Sequence, residues 1–197
     1  MPAIDATRLA PGFDNPVHDA QASFRAILDA MAHPGRPVEL SGGLAPPAPL
    51  GMAMASAALT LCDAETPLWL DAALAGCADF LRFHCGATLA PPGTADFALI
   101  GEPDAMPSLD AFALGSDEYP DRSATLIVEV ERLRAGQGLT LSGPGIAGTA
   151  LLEVSRLPER FWTERDLLGE LFPRGLDLIL TCGSRLAALP RTTRVGI

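Results

Sequence analysis

The stretch from Phe172 to Arg194 gathers the groups best suited to holding an anion. Arg174, Arg185, Arg191 and Arg194 flank an apolar strand, Leu176 to Leu180, that carries one acid, Asp177, and no Asp or Glu follows it. A guanidinium is a planar fork of donors that meets carboxylate or phosphate with two parallel bonds. The hydroxyls of Arg191-Thr192-Thr193-Arg194 add further donors. If Asp177 is buried it must be paired or hydrogen-bonded, with Arg174 or Arg185 as partners; otherwise it faces outward from an edge strand. The alternative for the arginines is a basic tail lying on acidic surface.

A second constellation, Arg82-Phe83-His84-Cys85-Gly86, places a cation, an imidazole and a thiol at a predicted helix end. A cation there also suits the helix dipole. Adjacent helical side chains point apart, which disfavours a His84–Cys85 nucleophile pair. With Cys77 and Asp79 the spacing matches no common zinc pattern, so no metal is expected. A third group is the polar stripe His18, Gln21, Arg25 and Asp29, a solvated face or else a subunit contact or ligand wall, in which Arg25 and Asp29 could pair one turn apart. Gly143-Pro144-Gly145-Ile146-Ala147-Gly148 matches the dinucleotide fingerprint by letter. The mechanism needs a helix next, and Thr149 to Val154 looks like a strand, so a turn is expected.

The elements that must carry these groups follow from local signals. Asn15 can cap a helix with Pro16 at its first position, running to about Ala32 and stopped at His33-Pro34-Gly35. Val17, Ala20, Phe24, Ile27 and Met31 form its apolar face. Residues 50–62 are apolar nearly all round, as in a buried helix. A helix from Ala72 to about Phe83 stops at Gly86. Asp104 to Leu114 is weakly helical, and Pro158 to Leu171 is periodic. Strands are expected at 37–40, 67–71, 97–100, 123–130, 139–141, 150–154, 176–182 and 185–189, the last two joined by a tight turn at Gly183-Ser184. Residues 1–14 read as a loose arm and 15–197 as one α/β domain with a mixed sheet and helices on both faces.

Composition narrows the function. All 14 cations are arginine, and without lysine neither a lysine Schiff base nor a Walker P-loop can form. A net charge of −10 makes nucleic acid and anionic membrane poor partners. A local arginine cluster can still bind phosphate, since screening limits repulsion beyond about 8 Å. No signal peptide is evident, and Leu50 to Cys62 is too short to span a bilayer. The four cysteines include no Cys-x-x-Cys pair. These features predict a cytoplasmic protein with reduced, mostly buried thiols.

Several segments together resemble one family. They are Pro16 to Arg25 with Met31 to Gly35, Thr66-Pro-Leu-Trp-Leu70, Arg82-Phe-His-Cys-Gly-Ala87, Leu141-Ser-Gly-Pro-Gly-Ile146, Phe172 to Leu180, and Leu189-Pro-Arg-Thr-Thr193. In this order, over residues 15–195, they resemble the PhnH family, whose members belong to the bacterial carbon–phosphorus lyase core complex. Where the family has a small polar residue before Gly86, this chain has Cys85. The resemblance implies a three-layer α/β/α fold with a mixed β-sheet, like a pyridoxal-phosphate-dependent transferase without its cofactor. It also implies a homodimer when alone and partnership with the G, I and J subunits of the complex. The activity it implies, with the G, I and L subunits, is conversion of ATP plus alkylphosphonate to ribose 1-alkylphosphonate 5-triphosphate. His18, Arg25, Arg82, His84, Arg174, Asp177 and Arg191 are the candidate ligand or subunit contacts. No catalytic residue is assigned, because no activated nucleophile or acid–base pair is evident. The alternative is a free-standing nucleotide- or phosphate-binding enzyme.

Overall fold

The computed structural model describes residues 9–196. Its central sheet has six strands: β1 (Val38–Glu39), β2 (Leu68–Leu70), β3 (Phe97–Ile100), β4 (Thr125–Glu129), β7 (Asp177–Cys182) and β8 (Arg185–Leu189). Their order across the sheet is β1-β8-β7-β4-β3-β2. β2, β3, β4 and β7 run parallel, while β8 and β1 add on antiparallel. The sheet is therefore mixed, as expected. The parallel strands read Phe-Ala-Leu-Ile, Thr-Leu-Ile-Val and Leu-Ile-Leu because both of their faces are buried.

One face carries α1 (Pro16–Ala32), α2 (Met52–Leu61) and α3 (Ala78–Cys85). Ile27 and Ala30 of α1, the buried run Ala53–Ala58 of α2, and Phe80 and Leu81 of α3 pack there on Leu68, Leu99, Ile127 and Ile179. The opposite face receives α4 (Glu159–Gly169) through Phe161. Beside it lies a second sheet made of β5 (Leu133–Ser142), β6 (Ala150–Val154) and β9 (Arg194–Gly196), with β5 in the middle. Helices thus lie on both faces, and one of those faces is shared with three strands.

Local capping behaves as the residues dictate. Asn15 Oδ1 accepts from the His18 N–H at 3.3 Å, and Pro16 follows without losing a helical bond. Gly86, at φ 70°, closes α3 in the left-handed conformation that glycine tolerates. The inward face of α1 differs from the expected one. Ser23, Ile27 and Ala30 are buried, whereas Val17, Phe24 and Leu28 are exposed. Small residues allow α1 to sit close on the alanine-rich α2, and the larger side chains turn outward. Asp104–Leu114 is not a helix but two short 3-10 turns, Pro103–Ala105 and Leu109–Ala111, with Pro107 between them. Residues 9–14, the described part of the expected arm, place Leu9, Ala10 and Phe13 against the core; residues 1–8 lie outside the described region. Cys62 and Cys77 are buried thiols, and Cys85 and Cys182 are half-buried. Burial pushes the Cys62 thiol well above its ordinary range.

Candidate functional site

The anion-friendly end of the sequence folds into a closed polar lock. Asp177 opens β7, beside Thr125 at the start of β4, so its carboxylate sits at the N-terminal edge of the parallel strands. The chain leaves β8 at Pro190 and brings Arg191 back over that edge. Arg191 donates from its backbone N–H to Asp177 Oδ1 at 2.8 Å, and from its guanidinium to Asp177 Oδ2 at 2.5 Å. The same guanidinium reaches Ser123 Oγ at 2.5 Å, Pro120 O at 2.6 Å and Pro173 O at 3.3 Å. The Asp177 and Arg191 side chains are 18% and 17% exposed. The partner of Asp177 is therefore Arg191, not Arg174 or Arg185. Arg174 lies close by in sequence, with its Nε 3.1 Å from Asp117 Oδ1; the N–H is not aimed at that oxygen, so this is an ion pair without a hydrogen bond.

The remaining candidates lie on the three-helix face. Arg82 reaches Asp79 at 3.4 Å. The His84 ring packs on Phe80 and Phe83, and its Nε2 lies 3.0 Å from Ala10 O. That contact holds residues 10–12 onto α3, where a Cβ on Gly12 would meet His84 Nδ1 at 2.6 Å. His18 and Arg25 are exposed on α1. Asp29 pairs with His33 at 3.1 Å and not with Arg25. The structure thus brings Arg174, Asp177 and Arg191 together and leaves His18, Arg25, Arg82 and His84 on other elements.

Two polar features are not among the residues expected from the sequence. At the C-terminal edge of the parallel strands, where open α/β sheets bind ligands, Asp71 is buried and accepts from the N–H groups of Leu74, Gly101 and Glu102 at 3.0, 2.8 and 2.7 Å. Beside it, Arg156, at φ 66°, bonds both oxygens of Glu102 at 2.6 Å. Glu129, the last residue of β4, accepts from Thr181 Oγ1 at 2.6 Å and Gly183 N at 3.3 Å. Its carboxyl fills the space beside Gly51 at the start of α2, and burial raises its pKa. The second unexpected feature is Arg165 of α4, which is 8% exposed. Its spacing from Phe161 and Leu168 puts it on the inward face of the helix, which is the one signal the sequence carries for it.

The glycine-rich segment is a turn, and β6 rather than a helix follows it. Gly143, Gly145 and Gly148 have φ of 135°, 81° and 82°. A Cβ on Gly145 would collide with Ala32 O. Gly145 therefore serves close packing against the end of α1 and Gly143 close packing against Thr192, and no helix follows the turn to receive a pyrophosphate at its N-terminus. Among the described residues no group of three His, Cys, Asp or Glu could hold a metal ion, and no helix is long and apolar enough to cross a membrane.

Residues 11–196 match the family model described as bacterial phosphonate metabolism protein (PhnH). Over 188 residues, 93% of each chain, the sequence is 45% identical to "Alpha-D-ribose 1-methylphosphonate 5-triphosphate synthase subunit PhnH" of Rhizobium meliloti (strain 1021). Over 178 residues, 90% of this chain and 86% of the relative, it is 35% identical to "Putative C-P lyase subunit protein HtxG" of Stutzerimonas stutzeri. With a match of this extent spanning both sheets and all four helices, the chain belongs to the PhnH family of bacterial phosphonate-metabolism proteins.

Proposed function

We propose that this chain is a subunit of a carbon–phosphorus lyase assembly. Together with the G, I and L subunits it serves the conversion of ATP plus alkylphosphonate to ribose 1-alkylphosphonate 5-triphosphate, a transferase step of phosphonate catabolism. The carrying observation is the 45% identity, over 93% of both chains, to a protein named as a subunit of that synthase. The geometry agrees with a supporting role. The strongest polar contacts, Asp177–Arg191, Glu102–Arg156 and Asp71 with its three N–H donors, are satisfied within the chain and present no activated nucleophile or acid–base pair. The chain works in the cytoplasm, pairs with a second copy when alone and meets the G, I and J subunits in the complex. We read its fold, from the family resemblance, as that of a pyridoxal-phosphate-dependent transferase without the cofactor; the lack of any lysine supports that reading.

The contact surface we assign to assembly is the outward face of α1. Val17, Phe24 and Leu28 are 76%, 49% and 57% exposed there, in one stripe beside His18 and Arg25. Such a stripe is apolar area that a partner can remove from water. Phe24→Asp is expected to leave the melting temperature of the isolated chain unchanged and to reduce co-purification with sister subunits, by roughly tenfold or more if Phe24 is a central anchor. Wild-type recovery of the complex with the Phe24→Asp chain would refute this assignment.

A further inference from the structure

We propose that the groove between α4 and β9 binds a small organic oxyanion, with its head group held at Arg194 and Thr193 above the buried Arg165. The groove encloses about 830 Å³, within the size range of small-molecule sites. Of the residues in the contacts described above, Arg191 lines it, with its guanidinium bonded to Asp177, Ser123, Pro120 and Pro173.

The observation that points to an anion is the state of Arg165. Its guanidinium donates only to main-chain carbonyls: Leu176 O at 3.3 Å, Leu189 O at 3.2 Å, Pro190 O at 2.7 Å and Thr193 O at 3.4 Å. Among the described residues no carboxylate lies within ion-pair distance of it. Burial lowers its pKa to about 10, which still leaves it cationic at neutral pH. Buried charges are normally paired; here Asp177, itself paired with Arg191, acts on Arg165 only from beyond ion-pair distance, and among the described residues no carboxylate approaches it more closely than that. Two buried polar atoms in the same place, Arg165 Nε and Thr193 Oγ1, also have no hydrogen-bond partner.

The walls define the class of ligand. Arg194 is exposed and, among the described residues, has no ion-pair partner, so its fork is available. Trp162 and Phe172 line the groove, and Phe172 is 65% exposed, which offers an apolar surface for the body of the ligand. Asp166 and Glu170 are exposed and also line the groove. Their charge disfavours an extended polyanion and favours a compact head group seated at the arginine end. β9 is an edge strand, bonded on one side to β5, and its residues form part of the same wall. The inference needs only the isolated chain and is independent of the assembly reading.

The test is titration of the full-length, isotopically labelled chain with inorganic phosphate and with phenyl phosphate at constant ionic strength, followed by amide chemical shifts. We expect saturable shifts confined to residues 192–196 and α4, and tighter binding of phenyl phosphate because of its apolar body. Arg194→Ala should weaken binding roughly tenfold or more, as loss of a charged hydrogen bond does, while the melting temperature without ligand stays at the parent value. Arg134→Ala, an exposed arginine on β5, should change nothing. Arg194 carries the test because Arg165 variants could fail to fold. The proposal is overturned by the absence of saturation across the millimolar range, or by equal loss in Arg134→Ala. It is also overturned if the groove amides move only when sister subunits are added, which would assign the groove to a protein partner.

Discussion

Arg191→Ala should destabilise the fold by about 3 kcal/mol, the lower end of the range for breaking a buried ion pair. Removing the guanidinium leaves the Asp177 carboxylate with one remaining bond, from the backbone N–H of residue 191. Because the Asp177 side chain keeps 18% exposure, water recovers part of its solvation, which argues against the upper end of the range. Ser123 Oγ, Pro120 O and Pro173 O lose their donors as well, at about 0.5–1.5 kcal/mol for each bond that water cannot replace. For a domain of this size, about 3 kcal/mol corresponds to a fall in melting temperature of roughly 6–12 °C. Thermal denaturation at low and high salt checks the origin, since a half-buried pair is screened less than a surface one. The cycle with Asp177→Ala should show coupling of about 1–3 kcal/mol, so that the double variant loses less than the sum of the singles. A loss below about 1 kcal/mol for Arg191→Ala, or additive singles, would refute the lock and return Arg191 to the pool of free ligand-binding groups.

Two further outcomes follow from particular residues. Burial raises the Glu129 carboxyl above 4.5, so the folded chain keeps this proton to a higher pH than the unfolded chain does. Its destabilising contribution is absent at low pH, grows as pH rises above about 4.5 and is complete above the folded-state pKa. Glu129→Gln should therefore gain in melting temperature relative to the parent between acid and neutral pH; a gap that widens toward acid instead would contradict this. In the glycine turn, Gly145→Ala should cost several kcal/mol, because its Cβ runs into Ala32 O from a left-handed backbone. Gly148→Ala, at nearly the same φ with nothing within 4 Å, should cost only about 1–2 kcal/mol. Equal melting temperatures for the two variants would show that the contact with α1 is not rigid.

Signals that act locally are legible in the sequence. The Asn15-Pro16 cap, the Gly86 stop and the Gly183-Ser184 hairpin each rest on chemistry within a few residues, and each sits where it is expected. Features decided by distant partners are not legible. β5 begins at Leu133, although Arg-Ala-Gly-Gln-Gly has little strand preference, because β6 pairs with it across an irregularity between Ala135 and Leu139. On α1 the apolar stripe is visible, but whether Phe24 or Ser23 faces inward depends on how closely α2 approaches. Site residues divide in the same way. That Asp177 needs a partner if it is buried is legible in the sequence, but that it is buried, and that Arg191 rather than Arg174 or Arg185 pairs with it, depends on the path of the chain after β8. Arg165 looks like one of many surface arginines, and only its phase with Phe161 sets it apart.

The two proposed surfaces lie on opposite faces of the central sheet. The outward stripe of α1 belongs to the helical face of the sheet, and the groove at Arg194 belongs to the face bearing α4 and the second sheet. Between them the chain is stitched by close approaches of backbone and side chain. Gly145 meets the end of α1, Gly35 meets Leu141, and Gly143 meets Thr192 immediately before the groove-lining Thr193. Close-packed junctions of this sort have few alternative arrangements, because interiors at crystalline density do not deform continuously. The Asp177–Arg191 lock fixes the segment that leads into Thr192 and Arg194 from the other side. Arg191 therefore acts on the groove by holding the position of Arg194, while its own guanidinium is fully engaged elsewhere. The arginine-rich C-terminal segment thus contributes Arg191, which builds the site, and Arg194, proposed to stay open to a ligand, and both close over the buried Arg165 of α4.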